Sequence, residues 1–101
     1  MKQSIEVSED QISNALTMLG INLRRRLLEK GRDSFINPKE ILGDLRLEMN
    51  EVEEAVQIKE PQRIIEELLD VAVGCVFGVA SIKAHTQVHE TPKPAQGGKQ
   101  Q

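Results

Sequence analysis

The chain contains no tryptophan, no tyrosine and one cysteine, and its only aromatic residues are two phenylalanines. One cysteine cannot form a disulfide within the chain, which excludes a small disulfide-stabilised fold and favours a reducing, cytoplasmic location. The scarcity of aromatic residues and the net charge of −3 argue against binding to a nucleic acid polymer. The longest apolar stretch, residues 71–82, is too short to cross a bilayer, so we expect no membrane partner.

Apolar residues recur at the three- and four-residue spacing of helices, and strand signals are weak, which predicts an all-α fold. A capping box that starts at Ser8 opens the first helix, Asn37-Pro38 opens the second, and Pro61 opens the third. Three amphipathic helices with short connections form an antiparallel helical bundle. The predicted helices end at about Gly31, Lys59 and Ala84.

Composition divides the chain into a folded part and a tail. Residues 1–85 contain the three helical patterns and are expected to form one all-α domain. Residues 86–101 are polar and rich in Pro, Gly and Gln, which predicts a disordered tail.

The third helix is apolar almost all round, so two neighbouring helices cannot cover it. A domain this small can enlarge its hydrophobic core by forming an oligomer. We therefore expect a homodimer or a dimer of dimers, with Val73, Val76 and Ala80 against another subunit.

Four acidic residues lie within the apolar sectors of two helices. Glu48 and Glu51 are three residues apart in the second helix, and Glu67 and Asp70 have the same spacing in the third. This spacing places both carboxylates of a pair on one side of the helix, where they are costly unless cations compensate them. Mg²⁺ prefers such oxygen ligands, with Mn²⁺ as a second candidate, whereas the alternative is a network of structural salt bridges. Asp44, one turn before Glu48, either supports the metal ligands or is a simple surface acid.

Basic residues precede this acidic region, as an anion-binding site beside a metal requires. Arg26 and Lys30 continue the apolar stripe of the first helix beyond its hydrophobic end, which points them toward a substrate phosphate at the bundle mouth. The alternative is two cations that stabilise the dipole at a helix end. Lys83 is a further candidate for contact with phosphate. Arg24 and Arg25 point elsewhere and are expected to be solvated.

Small and aromatic residues near the acidic pairs have simpler interpretations. Cys75 is expected to lie in the core. Phe35 is expected to fill the core from its loop, and the alternative is stacking on a substrate base. Gly74 and Gly78, one and two turns beyond Glu67, either leave volume for a ligand beside the carboxylates or allow two helices to pack closely.

The acidic pairs occur within two longer segments, LRLEMNEVEEAV and IIEELLDVAVGCVFGV, and the first is preceded by NPKEILGD. With these segments, residues 30–82 resemble the MazG-like members of the all-α nucleoside triphosphate pyrophosphohydrolase superfamily. The signature of that family is Glu-x-x-Glu on one helix and Glu-x-x-Asp on the next. The resemblance implies that four residues are both catalytic and metal-binding, namely Glu48, Glu51, Glu67 and Asp70.

In enzymes of this family, the carboxylates hold Mg²⁺ on a nucleoside triphosphate, and water cleaves between the α and β phosphates. The resemblance thus implies a Mg²⁺-dependent hydrolase that converts an NTP or dNTP to the monophosphate and pyrophosphate, to clear unwanted nucleotides. A related alternative is phosphoribosyl-ATP pyrophosphohydrolase, which has the same chemistry. A third interpretation is a helical oligomer that acts as a binding or regulatory module without catalysis.

Overall fold

The computed structural model describes residues 4–89, which form three helices and no strand. Helix α1 spans Glu9–Lys30, α2 spans Pro38–Ile58 and α3 spans Pro61–His89. The predicted all-α class and the number of main helices are therefore confirmed. Within the described residues, no helix is both long enough and apolar enough to cross a membrane.

The helix ends follow from the capping residues that the sequence offers. The hydroxyl of Ser8 accepts a hydrogen bond from the backbone N–H of Gln11, whose side chain bonds back to the N–H of Ser8, so the predicted capping box opens α1. Asn37 caps α2 in the same way through the N–H of Glu40. Lys59 ends α2 in the left-handed conformation with a φ of 67°, which starts the reversal of the chain into α3.

Helix α3 packs against both other helices and runs antiparallel to α2. Two glycines of α3 show the antiparallel direction. The later one, Gly78, lies beside Ile41 of α2, whereas the earlier one, Gly74, lies beside the later residue Asp44. A β-carbon added at Gly78 lies 3.1 Å from the side chain of Ile41, and one added at Gly74 lies 3.2 Å from Oδ2 of Asp44. At Gly78 the interpretation as close helix packing is therefore confirmed, and at Gly74 the missing side chain makes room for a carboxylate.

The predicted end of the third helix at about Ala84 is wrong, because α3 continues through residues 86–89. No glycine or proline separates Gly78 from Pro92, so nothing in the sequence stops the helix at the predicted position. The end of α3 is also tied to the loop between α1 and α2: Nε2 of His85 lies 2.9 Å from the carbonyl oxygen of Phe35, whose N–H donates to the hydroxyl of Ser81. The rest of the predicted tail, residues 90–101, lies outside the described residues.

The core of one chain is small, and one side of α3 remains uncovered. Among the residues whose burial the structure describes, four apolar ones are buried, none of them on α1: Val52, Ala55, Val73 and Phe77. Val73 is thus covered within the chain, contrary to its predicted position against another subunit. Cys75, predicted in the core, is exposed. It belongs to a row of exposed residues that we call the outer face of α3: Ile65, Leu68, Cys75, Val79 and Ile82.

Candidate metal centre

The four predicted acidic residues converge in the structure. Glu48 and Glu51 lie on α2 and Glu67 and Asp70 on α3, and the antiparallel register sets each pair opposite the other. One carboxylate oxygen from each residue can be chosen so that all four atoms lie within 4.8 Å of one another. The two helices therefore bring together residues that stand up to 22 positions apart in the chain, from 48 to 70.

Glu67 is the most buried of the four, with an exposed fraction of 8%. Its Oε2 accepts a hydrogen bond from Nε of Arg63 at 3.2 Å, which is also an ion pair. Its Oε1 is buried and has no hydrogen-bond partner. A buried oxygen without a partner is costly, so this atom is the one that gains most from a bound cation.

Arg63 was not predicted as part of the site. It precedes Glu67 by four residues, a spacing at which side chains meet on one face of a helix, so the sequence did contain the signal. Arg63 neutralises one of four acids. Among residues 4–89 it makes the one ion pair within 4.0 Å, so the predicted alternative of an extensive salt-bridge network does not account for the other three.

The electrostatics of the cluster raise the pKa of three of its carboxyl groups. Burial, and then the charge of Asp70, raises the pKa of Glu48. Ionised Glu51 and Glu67 are both acceptors, but a protonated Glu51 can donate to Glu67; this bond, and then the charge of Glu67, raises the pKa of Glu51. Burial, and then the charge of Glu67, raises the pKa of Asp70. The folded chain thus holds these groups at a cost that protons or a metal ion can relieve.

The arrangement fits a hard divalent cation. Mg²⁺ binds oxygen at about 2.1 Å, so two ligands on opposite sides of the ion are about 4.2 Å apart. The spread of 4.8 Å among the four oxygens needs only small side-chain movements to reach that geometry. An all-carboxylate set suits Mg²⁺ or Mn²⁺ better than softer metals. The cluster therefore could hold one of these ions, through the four acids that the sequence predicted.

A cavity of about 170 Å³ lies beside the acidic cluster, between α1 and the α2–α3 pair. Arg26, Lys30 and Asp44 line this cavity together with Glu48 and Asp70. Arg25 is exposed, as predicted, but it also lines the cavity, so the prediction that it points away from the site is wrong. The charged residues of the lining are Arg25, Arg26, Glu29, Lys30, Asp44, Glu48 and Asp70.

Arg26 is held in place by the two phenylalanines. Its guanidinium carbon lies 4.1 Å from the centre of the Phe77 ring and 5.9 Å from that of Phe35. The two rings contact each other edge to face, with centres 5.4 Å apart. Phe35 is therefore a packing residue of this cluster, and both aromatic side chains of the sequence are engaged within it.

The structure does not bring Lys83 to the site. Lys83 follows Asp70 by thirteen residues on the same helix, a separation of about 20 Å along the axis. It does not line the cavity beside the acids. Asn22 and Glu29 do line the cavity, and nothing in their spacing distinguished them in the sequence.

Comparisons of the chain with protein-family models, with curated proteins and with solved structures found no match. The resemblance to MazG-like enzymes therefore rests on the residues of the two acidic motifs. What bears on the function is the geometry of the cluster and of the cavity beside it.

Proposed function

We propose that the chain is a Mg²⁺-dependent nucleoside triphosphate pyrophosphohydrolase that clears unwanted nucleotides from a cytoplasmic pool. The observation that carries the proposal is the convergence of four carboxylates around a buried, unpartnered oxygen of Glu67. A second observation supports a phosphate ligand in particular: cations of α1 face the acids across the cavity.

The proposed reaction adds water to the anhydride between the α and β phosphates. A new bond forms between the water oxygen and phosphorus, the bridging bond breaks, and the products are a nucleoside monophosphate and pyrophosphate. The bound cation would neutralise the phosphate charge and make water more acidic. The chain's own roles are to hold the triphosphate between the acids and α1, and to accept the water proton on a carboxylate.

The active form would be a homodimer or a dimer of dimers. Ile65, Leu68, Val79 and Ile82 on the outer face of α3 are between 41% and 59% exposed. With Cys75 and the half-buried Ala72, they follow an alternating spacing of three and four, as in helices that pair along one seam. A second copy supplies the matching seam, and the two outer faces together would provide core that one chain lacks.

The test is pyrophosphate release from a panel of ribo- and deoxyribonucleoside triphosphates, with and without Mg²⁺ or Mn²⁺, and with phosphoribosyl-ATP included. Turnover of nucleoside triphosphates that requires the metal supports the proposal. Preference for phosphoribosyl-ATP would select the related activity in its place. No release from any substrate, by protein that is folded and loaded with metal, would favour a binding module.

A further inference from the structure

We propose that Arg26 is the principal phosphate ligand of the cavity and that Phe77 acts as its positioning residue. The inference rests on the proposed function and deepens it, because it makes the diphosphate group, rather than the base, the part of the substrate that the chain recognises.

The first step of the argument is that Arg26 is fixed before a ligand arrives. A guanidinium 4.1 Å from a ring centre is attracted to the face of that ring. Phe77 is itself buried, and its edge-to-face contact with Phe35 holds the ring. A stacked guanidinium keeps its N–H donors in its own plane, where they can bind a phosphate with two parallel hydrogen bonds. Arg25 and Lys30 are exposed and lack such a support.

The second step is that opposite charges face each other across the cavity without pairing. In the described part of the chain, Arg26 makes no ion pair within 4.0 Å with Asp44, Glu48 or Asp70, although all four line the same cavity. The α1 wall carries three cations and Glu29, and the opposite wall carries Asp44, Glu48 and Asp70. A phosphate group that carries a divalent cation can bind both walls, because the metal attracts the acids and the phosphate oxygens attract the cations of α1.

The third step concerns size and stacking. Pockets for whole drug-sized ligands usually enclose about 300–1,000 Å³. The cavity of about 170 Å³ is smaller than that, which suits the phosphate end of a nucleotide. Both aromatic residues are occupied with Arg26 and with each other, so stacking on a base is not their role. Inorganic pyrophosphate, the proposed product, is therefore a sufficient probe.

The experiment measures binding by calorimetry, so that turnover does not enter. Mg²⁺ alone, and pyrophosphate with saturating Mg²⁺, are titrated into the wild type, Arg26→Gln, Arg26→Lys and Phe77→Leu. Arg24→Gln is the matched control, because it removes the same charge from an exposed position of the same helix that does not line the cavity. Helicity and thermal unfolding are recorded for every variant.

We expect Arg26→Gln to weaken the affinity for pyrophosphate at least 10-fold, while the affinity for Mg²⁺ alone changes less than 2-fold. The affinity of Arg26→Lys for pyrophosphate should lie between those of the wild type and Arg26→Gln, since lysine keeps the charge and loses the planar donors. Phe77→Leu should weaken pyrophosphate binding several-fold without removing a charge. If Phe77 acts through Arg26, the same change in an Arg26→Gln background should cost less than a further 2-fold.

Equal losses in Arg26→Gln and Arg24→Gln would overturn the inference, as would wild-type protein that binds Mg²⁺ but not pyrophosphate. Pyrophosphate binding that depends on Arg26, in protein that binds no Mg²⁺, would support the inference and remove the proposed function. If Phe77→Leu does not fold, the comparison of the two Arg26 variants with Arg24→Gln still decides the matter.

Discussion

Helix α3 has two sides that each carry unusual residues: acids on the side toward α2, and large apolar side chains on the exposed side. The face toward α1 and α2 carries Glu67 and Asp70 and buries the hydroxyl of Ser81. The face on the other side exposes large apolar residues such as Leu68 and Val79. Crowding acids around the buried Glu67 and exposing apolar area are both unfavourable, so each face indicates something that one chain by itself does not supply. For the inner face we infer a divalent cation with phosphate, and for the outer face a second copy.

The largest expected effect comes from neutral substitutions of the carboxylates on the inner face. We expect Glu51→Gln and Asp70→Asn each to lower turnover at least about 100-fold, equivalent to about 2.7 kcal/mol of transition-state stabilisation. Because removal of one charge relieves repulsion within the cluster, the metal-free variants should be as stable as the wild type or more so. Pyrophosphate-release rates and thermal unfolding measure the two effects.

The control for these variants is Glu53→Gln, which removes a carboxylate from an exposed position of α2 outside the cluster. It should keep wild-type turnover. Loss of stability in both Glu51→Gln and Asp70→Asn would mean that the acids serve a structural network.

A charged substitution on the outer face of α3 tests whether this face joins two copies of the chain. Val79, 59% exposed in one chain, should be buried between two copies. Val79→Asp should weaken association by about 3 kcal/mol, or about 100-fold in the dissociation constant, since it buries an unpaired carboxylate. Sedimentation equilibrium measures this, with Gln62→Asp as a control at an exposed polar position of α3. A wild-type chain that remains monomeric and fully active at micromolar concentration would contradict the assembly.

The close approach of α2 and α3 on the inner face can be tested with two glycines. Gly78→Ala places a methyl group 3.1 Å from the Ile41 side chain, so it should destabilise the fold by about 1–3 kcal/mol. Gly43→Ala is the matched control, because a β-carbon there meets nothing within 4 Å. In the interior of α2, this change should stabilise the fold by about 0.5–1 kcal/mol. Chemical denaturation distinguishes the two, and equal effects would argue against the observed packing.

The smallest expected effect is the pH dependence of the metal-free chain. The raised pKa values of Glu48, Glu51 and Asp70 mean that the folded chain binds more protons than the unfolded one. Their stabilising contribution is complete below about pH 4, the range of unperturbed carboxyl groups, and is lost as the pH rises through the raised values. Unfolding measured from pH 4 to 7 should therefore show a shallower fall for Glu51→Gln than for the wild type. Parallel curves would contradict these shifts.

Local signals in the sequence sufficed for most of the fold and for the acidic cluster. Ser8, Asn37 and Pro61 start the helices where capping rules predict, and the three-residue spacing of the acids put them on the inner faces. The end of α3 was missed because a polar composition was read as a tail, although no helix-breaking residue occurs there. The contact of His85 with Phe35 that holds this segment joins residues 50 positions apart, so no local pattern reveals it.

The limits of the sequence are clearest for long side chains and for the two sides of α3. Arg25 was misplaced because the backbone direction of a helical residue does not fix where a flexible side chain ends. Val73 and Cys75 were assigned to the wrong environments, because an almost wholly apolar helix gives no periodicity from which to choose the covered side.

The central claim is that the inner face of the α2–α3 pair is built for a divalent cation, and Glu67 tests it most directly. Mg²⁺ that binds only the folded chain should stabilise it by about 2.7 kcal/mol at 100 times the dissociation constant. We predict that Mg²⁺ raises the melting temperature of the wild type, and that Glu67→Gln abolishes this response. A wild type whose melting temperature ignores Mg²⁺, or a Glu67→Gln variant that responds as the wild type does, would contradict the account.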